Sequence, residues 1–285
     1  MVILLGLAAA ALYGSGDFLG GMATRRAHVL TVLTMVETAG VIAALAIAAA
    51  WSGPAGLAGL AWGISAGLIG GLGLIVFYAG LAAGPMSVVA PVSGLVSTVL
   101  PVGVALAEGE RPGPAVYAGA LLCLVAIVLA SSAGEQGPAR QPGWLGRAIA
   151  YGTASGVSFG LFFLLIRNAG QSGAVWPVAS ARIGELAAVL AAAAVVRPGL
   201  RRGLRRGAGG RIALVAAGAG VIDVVANICY VAATRTGSFG LAVVLASLYP
   251  GVTVLLARVV LGERLRWVQR LGRGLAAFGI LLVAA

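Results

Sequence analysis

The sequence predicts an all-α integral membrane protein: ten transmembrane helices arranged as two inverted five-helix repeats around a central cavity. Three observations lead there. The 285 residues are 60% hydrophobic and 9% charged, with a mean hydropathy of +1.05. A soluble domain has roughly a quarter charged residues, so a chain this apolar cannot cover itself with polar surface, and its solvent is lipid. Apolar segments of about 20 residues, the span of a bilayer core, follow one another ten times. Finally, residues 84–111 recur, without a gap, at residues 237–264. In lipid every backbone polar group must be satisfied within the chain, so the spans are helices. The short apolar/polar alternation of a β-barrel is absent.

The first copy of the recurring stretch reads GPMSVVAPVSGLVSTVLPVGVALAEGER and the second GSFGLAVVLASLYPGVTVLLARVVLGER. Six of 28 positions are identical: Gly84 on Gly237, Leu95 on Leu248, Val99 on Val252, and Gly109, Glu110 and Arg111 on Gly262, Glu263 and Arg264. Each copy has an interior proline. Fixed-period self-similarity is the mark of a duplicated unit. A shift of 142 also puts Gly14 on Gly156 and Arg25 on Arg167, and the shift of 153 puts Gly119 on Gly272. Five spans in each half is an odd number. The second half therefore enters the membrane from the opposite side, the arrangement that lets two halves exchange conformations around a midplane site.

Span 1 covers residues 2–23. It runs into Gly16, Asp17 and Phe18 rather than a small-residue cleavage site, and more spans follow, so it reads as a span and not a removed leader. Span 2 is 29–51, and a Ser52, Gly53, Pro54 turn follows. Span 3 is 57–83; its Gly67/Gly71 pair, like Gly16/Gly20 in span 1, has the spacing that lets helices approach closely in lipid. Span 4 is 86–107 and span 5 is 115–132. Residues 134–143 form the polar linker between an N-terminal unit, 1–133, and a C-terminal unit, 144–285. Span 6 is 144–166. Span 7 is 175–196, with Pro177 in its first turn, where proline is tolerated. Spans 8, 9 and 10 are 212–233, 239–261 and 267–284. Trp51, Trp144, Trp176 and Trp267 stand at span ends, as an interfacial belt requires, and Trp62 lies just inside span 3.

The net charge is +11, and all 19 basic residues are arginine. They stand at the ends of apolar segments, where they meet lipid headgroups, so no nucleic-acid partner is expected. Loops after odd-numbered spans hold 14 arginines and loops after even-numbered spans hold 3. By the positive-inside rule this places both termini outside. Cys123 and Cys229 lie inside spans without metal spacing and read as small core residues.

A charge inside a span costs about 2.5–3.5 kcal/mol on insertion scales and needs a reason. Asp17 follows Tyr13 by one turn in span 1. Asp223, Asn227 and Tyr230 make one polar stripe on span 8. That stripe either lines a cavity and binds solute, or bonds a neighbouring helix. Glu37 in span 2 and Arg182 and Glu185 in span 7 form a second set, whose simplest reading is a structural ion pair. Arg258, one turn from the end of span 9, snorkels to the surface. Glu110 and Glu263 occupy equivalent points and either hold the next arginine or cap a helix end. Glu108 is expected to be solvated, as is His28. Pro91, Pro101 and Pro250 free backbone carbonyls in spans 4 and 9. Ser93, Ser97, Thr98 and Tyr249 lie beside them, either repairing helix bonds or touching solute. Ser155, Ser158 and Phe159 are the span 6 counterparts of the Tyr13–Asp17 region. Tyr78 is either a packing residue or a cavity residue.

Tyr13 to Phe18 in span 1, Ala90 and Pro91 in span 4, and the twice-used Gly-Glu-Arg resemble the EamA-like branch of the drug/metabolite transporter superfamily. The likeness covers essentially the whole chain. It implies a ten-helix bundle with spans 1, 3, 4, 6, 8 and 9 around the cavity and spans 2, 5, 7 and 10 more peripheral. It favours Asp17, Asp223, Asn227, Tyr230 and Tyr249 as cavity residues and gives Glu37, Arg182 and Glu185 a structural role. Family members are commonly drawn with cytoplasmic termini, opposite to the arginine count.

The expected function is secondary active transport of a small polar metabolite or drug, in the outward direction, across a prokaryotic cytoplasmic membrane. The solute-binding residues are expected to be Tyr13, Asp17, Ser93, Ser97, Ser158, Asp223, Asn227, Tyr230 and Tyr249, with Asp17 or Asp223 carrying the proton. A carboxylate partly shielded from water can load and release protons near neutral pH. The alternative is a passive channel or facilitator. With no lysine there is no P-loop, and with a single histidine there is no nucleophile–histidine pair in the membrane, so no enzymatic activity, cofactor or metal is expected. The expected partners are a small-molecule solute and the lipid bilayer, with a homodimer as an open alternative.

Overall fold

A computed structural model describes residues 1–50, 56–83, 86–111, 143–170, 173–195 and 209–261, with isolated positions at 53, 113, 114, 118, 121, 122, 125 and 275. The described chain is helical: α1 (Val2–Thr24), α2 (Val29–Ala50), α3 (Leu57–Ala83), α4 (Met86–Ala107), α5 (Trp144–Ala169), α6 (Val175–Val195), α7 (Gly210–Thr236), α8 (Phe239–Ala246) and α9 (Tyr249–Leu261). Helices α1–α4 are spans 1–4, α5–α7 are spans 6–8, and α8 and α9 divide span 9. Spans 5 and 10, most of the linker, Glu263 and the Arg258 side chain lie outside what is described. Among the described residues, eight stretches are long and apolar enough to cross a membrane. Their outward faces carry bare aliphatic side chains, such as Leu57 and Val195, each 85% exposed. In water that would be a liability; against acyl chains it is the ordinary lipid-facing surface of a membrane helix.

The helices pack chiefly across the two halves. Helix α1 lies on α7, α8 and α9; α3 lies on α5 and α6; α2 lies on α7 and α6; α4 lies on α5, α8 and α9. Glycine sets the closest approaches. At the crossing of α3 and α6, a β-carbon on Gly67 would run into the Ala181 carbonyl, and one on Gly184 into the Ile64 carbonyl. Where α2 crosses α7, a β-carbon on Gly220 would meet the Val36 carbonyl. Gly71 faces α6 like Gly67, but Gly16 and Gly20 face different partners, α7 and Tyr78 of α3. Tyr78 is buried, its ring 6.0 Å from that of Phe77.

Span 9, expected as one helix, is two. Pro250 has no N–H to offer the preceding turn, and the chain leaves the helix at Ser247 and Leu248 before α9 begins. The Ser247 hydroxyl donates to the Val243 carbonyl at 2.7 Å, closing the end of α8. By contrast Pro91 and Pro101 sit inside an unbroken α4. There the Ser97 and Thr98 hydroxyls both donate to the Gly94 carbonyl, at 3.0 and 2.7 Å.

The Gly-Glu-Arg motif closing α4 has a clear geometry. Gly109, at φ 91°, takes the left-handed conformation that ends a helix. The Glu110 N–H donates to Ala105 O at 3.0 Å and the Gly109 N–H to Leu106 O at 3.1 Å, a Schellman pair. This turn aims Glu110 at the start of α8. Its carboxylate accepts from the Phe239 N–H at 2.9 Å, the Gly240 N–H at 3.0 Å and the Ser238 hydroxyl at 2.6 Å. Of the two sequence readings for Glu110, the helix cap is the one the geometry has. Glu108 is paired rather than simply solvated: Arg167, in the last turn of α5, lies 2.8 Å away and also sits 4.0 Å above the Phe239 ring. The Glu108 side chain is 47% exposed, at the surface as expected, and the end of α5 beside it supplies the partner. His28 is exposed, as expected, and its Nδ1 accepts from the Leu30 N–H at 3.3 Å to start α2.

Partial burial pushes the Glu110 carboxyl up, but the Ser238 hydroxyl and the Gly240 and Phe239 N–H groups outweigh it and hold it below the ordinary 4.5. The cap therefore stabilises fully above pH 4.5 and is lost as pH falls through the lower folded-state value. Glu110→Ala should cost about 1 kcal/mol near neutrality, as loss of a helix cap does. Unfolding in detergent should show that gap closing in acid; a gap independent of pH refutes the cap. Gly67→Leu should cost at least about 1–3 kcal/mol, the range for overpacked interiors. Thermal melts unchanged by it would contradict the α3–α6 crossing.

Candidate functional site

Between the two sets of helices lies a cavity with about 440 Å³ of space unfilled by atoms, part of it open to the outside. Its lining draws on both halves: Tyr13 and Asp17 from α1, Gly70 and Leu74 from α3, Phe159, Phe162 and Phe163 from α5, Arg182 and Glu185 from α6, Asp223 and Asn227 from α7, and Tyr249 at the start of α9. Asp223 is midway along α7, roughly 20 Å from either end at 1.5 Å per residue, so the site is at mid-bundle depth.

Arg182 dominates the electrostatics. It is 1% exposed, and its guanidinium meets three carboxylates from three helices. Nη2 lies 2.5 Å from Asp223 Oδ2 of α7. Nη1 lies 2.9 Å from Glu185 Oε2 of α6 and 3.2 Å from Glu37 Oε2 of α2. Glu185 is within ion-pair reach but not aligned as a hydrogen bond. Helix α2 passes close enough for this because Gly40 leaves room for the arginine's arm: a β-carbon there would lie 3.2 Å from Arg182 Cδ. The two charge sets that the sequence keeps apart, Asp223 on span 8 and Glu37–Arg182–Glu185 on spans 2 and 7, are thus one cluster.

Asn227 joins this cluster to the aromatic wall. Its amide donates to the Asp223 carbonyl at 2.9 Å, and its oxygen accepts from the Tyr13 hydroxyl at 2.9 Å. The Tyr13 ring meets Phe163 at 6.2 Å and Tyr249 at 6.3 Å, both edge-on, and Phe162 stands 5.7 Å from Phe163. Asp17 differs from the other acids. It lines the cavity yet has no hydrogen bond or ion pair among the described residues. It lies near Asp223, since a β-carbon on neighbouring Gly16 would be 4.0 Å from Asp223 Cβ.

Five of the nine expected solute-binding residues thus meet at the cavity: Tyr13, Asp17, Asp223, Asn227 and Tyr249. The other four do not line it. Tyr230 is fully buried, its hydroxyl 3.4 Å from the Phe163 carbonyl and its ring 4.7 Å from that of Phe163. Ser93 lies behind Tyr249, accepting from the Ser155 hydroxyl at 3.0 Å and reached by Tyr249 at 3.5 Å. Ser97 spends its hydroxyl on its own helix. Ser158 packs on α3, where a β-carbon on Gly73 would be 2.8 Å from its own. The lining residues the sequence reading passed over, Phe162 and Phe163, stand three and four places after Phe159. That spacing puts all three on one helix face, a signal present in the sequence.

These observations define a multi-pass helical membrane protein with a charged and aromatic site, partly open to the outside, at mid-bundle depth. Residues 146–285 match the model of the EamA-like transporter family. The resemblance to the drug/metabolite transporter superfamily agrees with this. No curated protein matches the chain. A solved structure described only as "Crystal structure of protein" superposes with a TM-score of 0.73 at 20% identity, over 99% of this chain and 95% of that one, and shows the fold alone.

Breaking a buried ion pair by removing one partner costs about 3–5 kcal/mol, because the other charge is left alone. Arg182→Met should therefore destabilise by that amount, and adding Glu37→Gln should recover part of it. Detergent unfolding of both variants checks this; strictly additive losses would show the cluster not to be coupled.

Proposed function

We propose that the chain is a secondary active transporter of the prokaryotic cytoplasmic membrane. It exports a small polar metabolite or drug by alternating access, with a proton exchanged on Asp17 or Asp223. The observation that carries this is Asp17: a carboxyl unpaired among the described residues, facing a cavity that both halves line. An uncompensated carboxylate in a low-dielectric site is costly, so such a group exchanges a proton or meets a charged solute.

The helix contacts support the two-state part of the reading. If spans 1–4 correspond to spans 6–9, the contacts come in matched pairs. The α1–α7 contact answers α5–α3, α2–α7 answers α6–α3, and α1–α9 answers α5–α4. The pairs that map onto themselves, α2 with α6 and α4 with α8 and α9, also touch. A bundle that is its own approximate image has a second, mirrored arrangement of similar energy, and moving between the two would open the site to alternate sides. The break at Ser247 beside Tyr249 fits the discontinuous helices found at such sites.

Proteoliposomes with an imposed proton gradient, screened against amino acids, nucleobases, sugars and organic cations, test the proposal. The wild type should accumulate a solute against its gradient. The Asp17→Asn, Asp223→Asn double variant should lose at least about tenfold of the driven flux, a modest loss for a proton-transfer group. Flux that never runs uphill would make the protein a facilitator. Uphill flux with unchanged pH dependence in the double variant would exclude both carboxyls.

A further inference from the structure

The lining carries more acid than base. Asp17, Glu185 and Asp223 face it, with Glu37 behind, and Arg182 is its one cationic group among the described residues. That guanidinium is taken. Both terminal nitrogens lie on carboxylates, and the remaining Nε is sealed from solvent without a partner. An anionic solute, or the carboxylate of a zwitterion, would find no free donor charge in the lining. Asp17 is in the opposite position, an acid with no counter-charge among the described residues.

Aromatic rings line the same cavity. Tyr13 contacts both Phe163 and Tyr249 edge-on, and Phe162 meets Phe163 at 64°, so the rings present faces in several directions. Ring faces attract cations, and a carboxylate beside them completes the recognition of an ammonium group. Leu74 and Gly70 leave the floor apolar.

From these we infer that the cavity binds an organic monocation, an amine or quaternary ammonium carrying an apolar or aromatic group. Its charge is held by Asp17 and its apolar part lies on the Tyr13–Tyr249–Phe163 wall. The inference gives a substrate class to the transport site proposed above, but binding itself does not depend on transport.

The test uses the full chain in lipid nanodiscs and equilibrium titration at one pH above the carboxylate range. The probes are benzyltrimethylammonium, neutral N-benzylacetamide and anionic phenylacetate. The ammonium should bind at least about tenfold tighter than either of the others, a tenfold ratio being the least that separates charge recognition from hydrophobic uptake. Asp17→Asn should abolish that preference without lowering the unfolding midpoint, because Asp17 holds no other group in place. Equal binding of the three probes, or preference for phenylacetate, overturns the inference in the wild type alone, whatever the variant does. A preference that survives Asp17→Asn overturns the assignment to Asp17. Gradient-driven flux of a neutral or anionic solute, without ammonium binding, overturns this inference and leaves the transport reading standing. Ammonium binding without any flux does the reverse.

Discussion

A guanidinium buried among helices in lipid has no water to fall back on, and the bundle is arranged around that constraint. Arg182 is inserted from α6 and met by carboxylates of α2, α6 and α7. Charge burial of this kind adds little net stability over a well-packed apolar core, but it penalises any arrangement that separates the partners. The register of three helices is thereby fixed around one side chain. The glycines at the helix crossings serve the same end. Without Gly220 the backbone of α7 could not come up to Val36 of α2, the residue before Glu37.

Asn227 links this rigid part to the chemically open one. It holds Asp223 with its amide and Tyr13 with its oxygen, so both halves of its side chain are committed. Tyr13 then positions the aromatic wall. The result is a site whose other acids all lie against Arg182, while one, Asp17, has neither a hydrogen bond nor an ion pair among the described residues. In a native interior, nearly every buried polar group has a partner. On the reading proposed above, Asp17 is where the molecule meets its solute.

Much of this was legible in the sequence. Hydropathy and length located the helices of spans 1–4 and 6–8 to within a few residues, because lipid exposure leaves almost no freedom in composition. The four-residue spacings of Tyr13–Asp17 and Asp223–Asn227 marked the cavity faces. The convergence of Asp223 with Arg182 was not legible, because periodicity orders residues along one helix and says nothing of which helices meet. Tyr230 shows the same limit: it shares the stripe of Asp223, yet seven residues further along α7 it faces Phe163, away from the open space. The division of span 9 was only half visible. Pro250 announced a disturbance, but Pro91 and Pro101 did so equally in α4, which is unbroken.

The turn at Gly109 has a mechanical consequence. It carries Glu110 from the N-terminal helices onto the first amides of α8 among the C-terminal ones, while Arg167 bridges Glu108 and Phe239 beside it. The two sets of helices are therefore joined at one end of the bundle. Any tilt pivoting on that joint is multiplied by leverage: a 27-residue helix is roughly 40 Å long, so ten degrees of tilt would sweep its free end through about 7 Å by the same geometry. A displacement of that size exceeds the width of a single side chain.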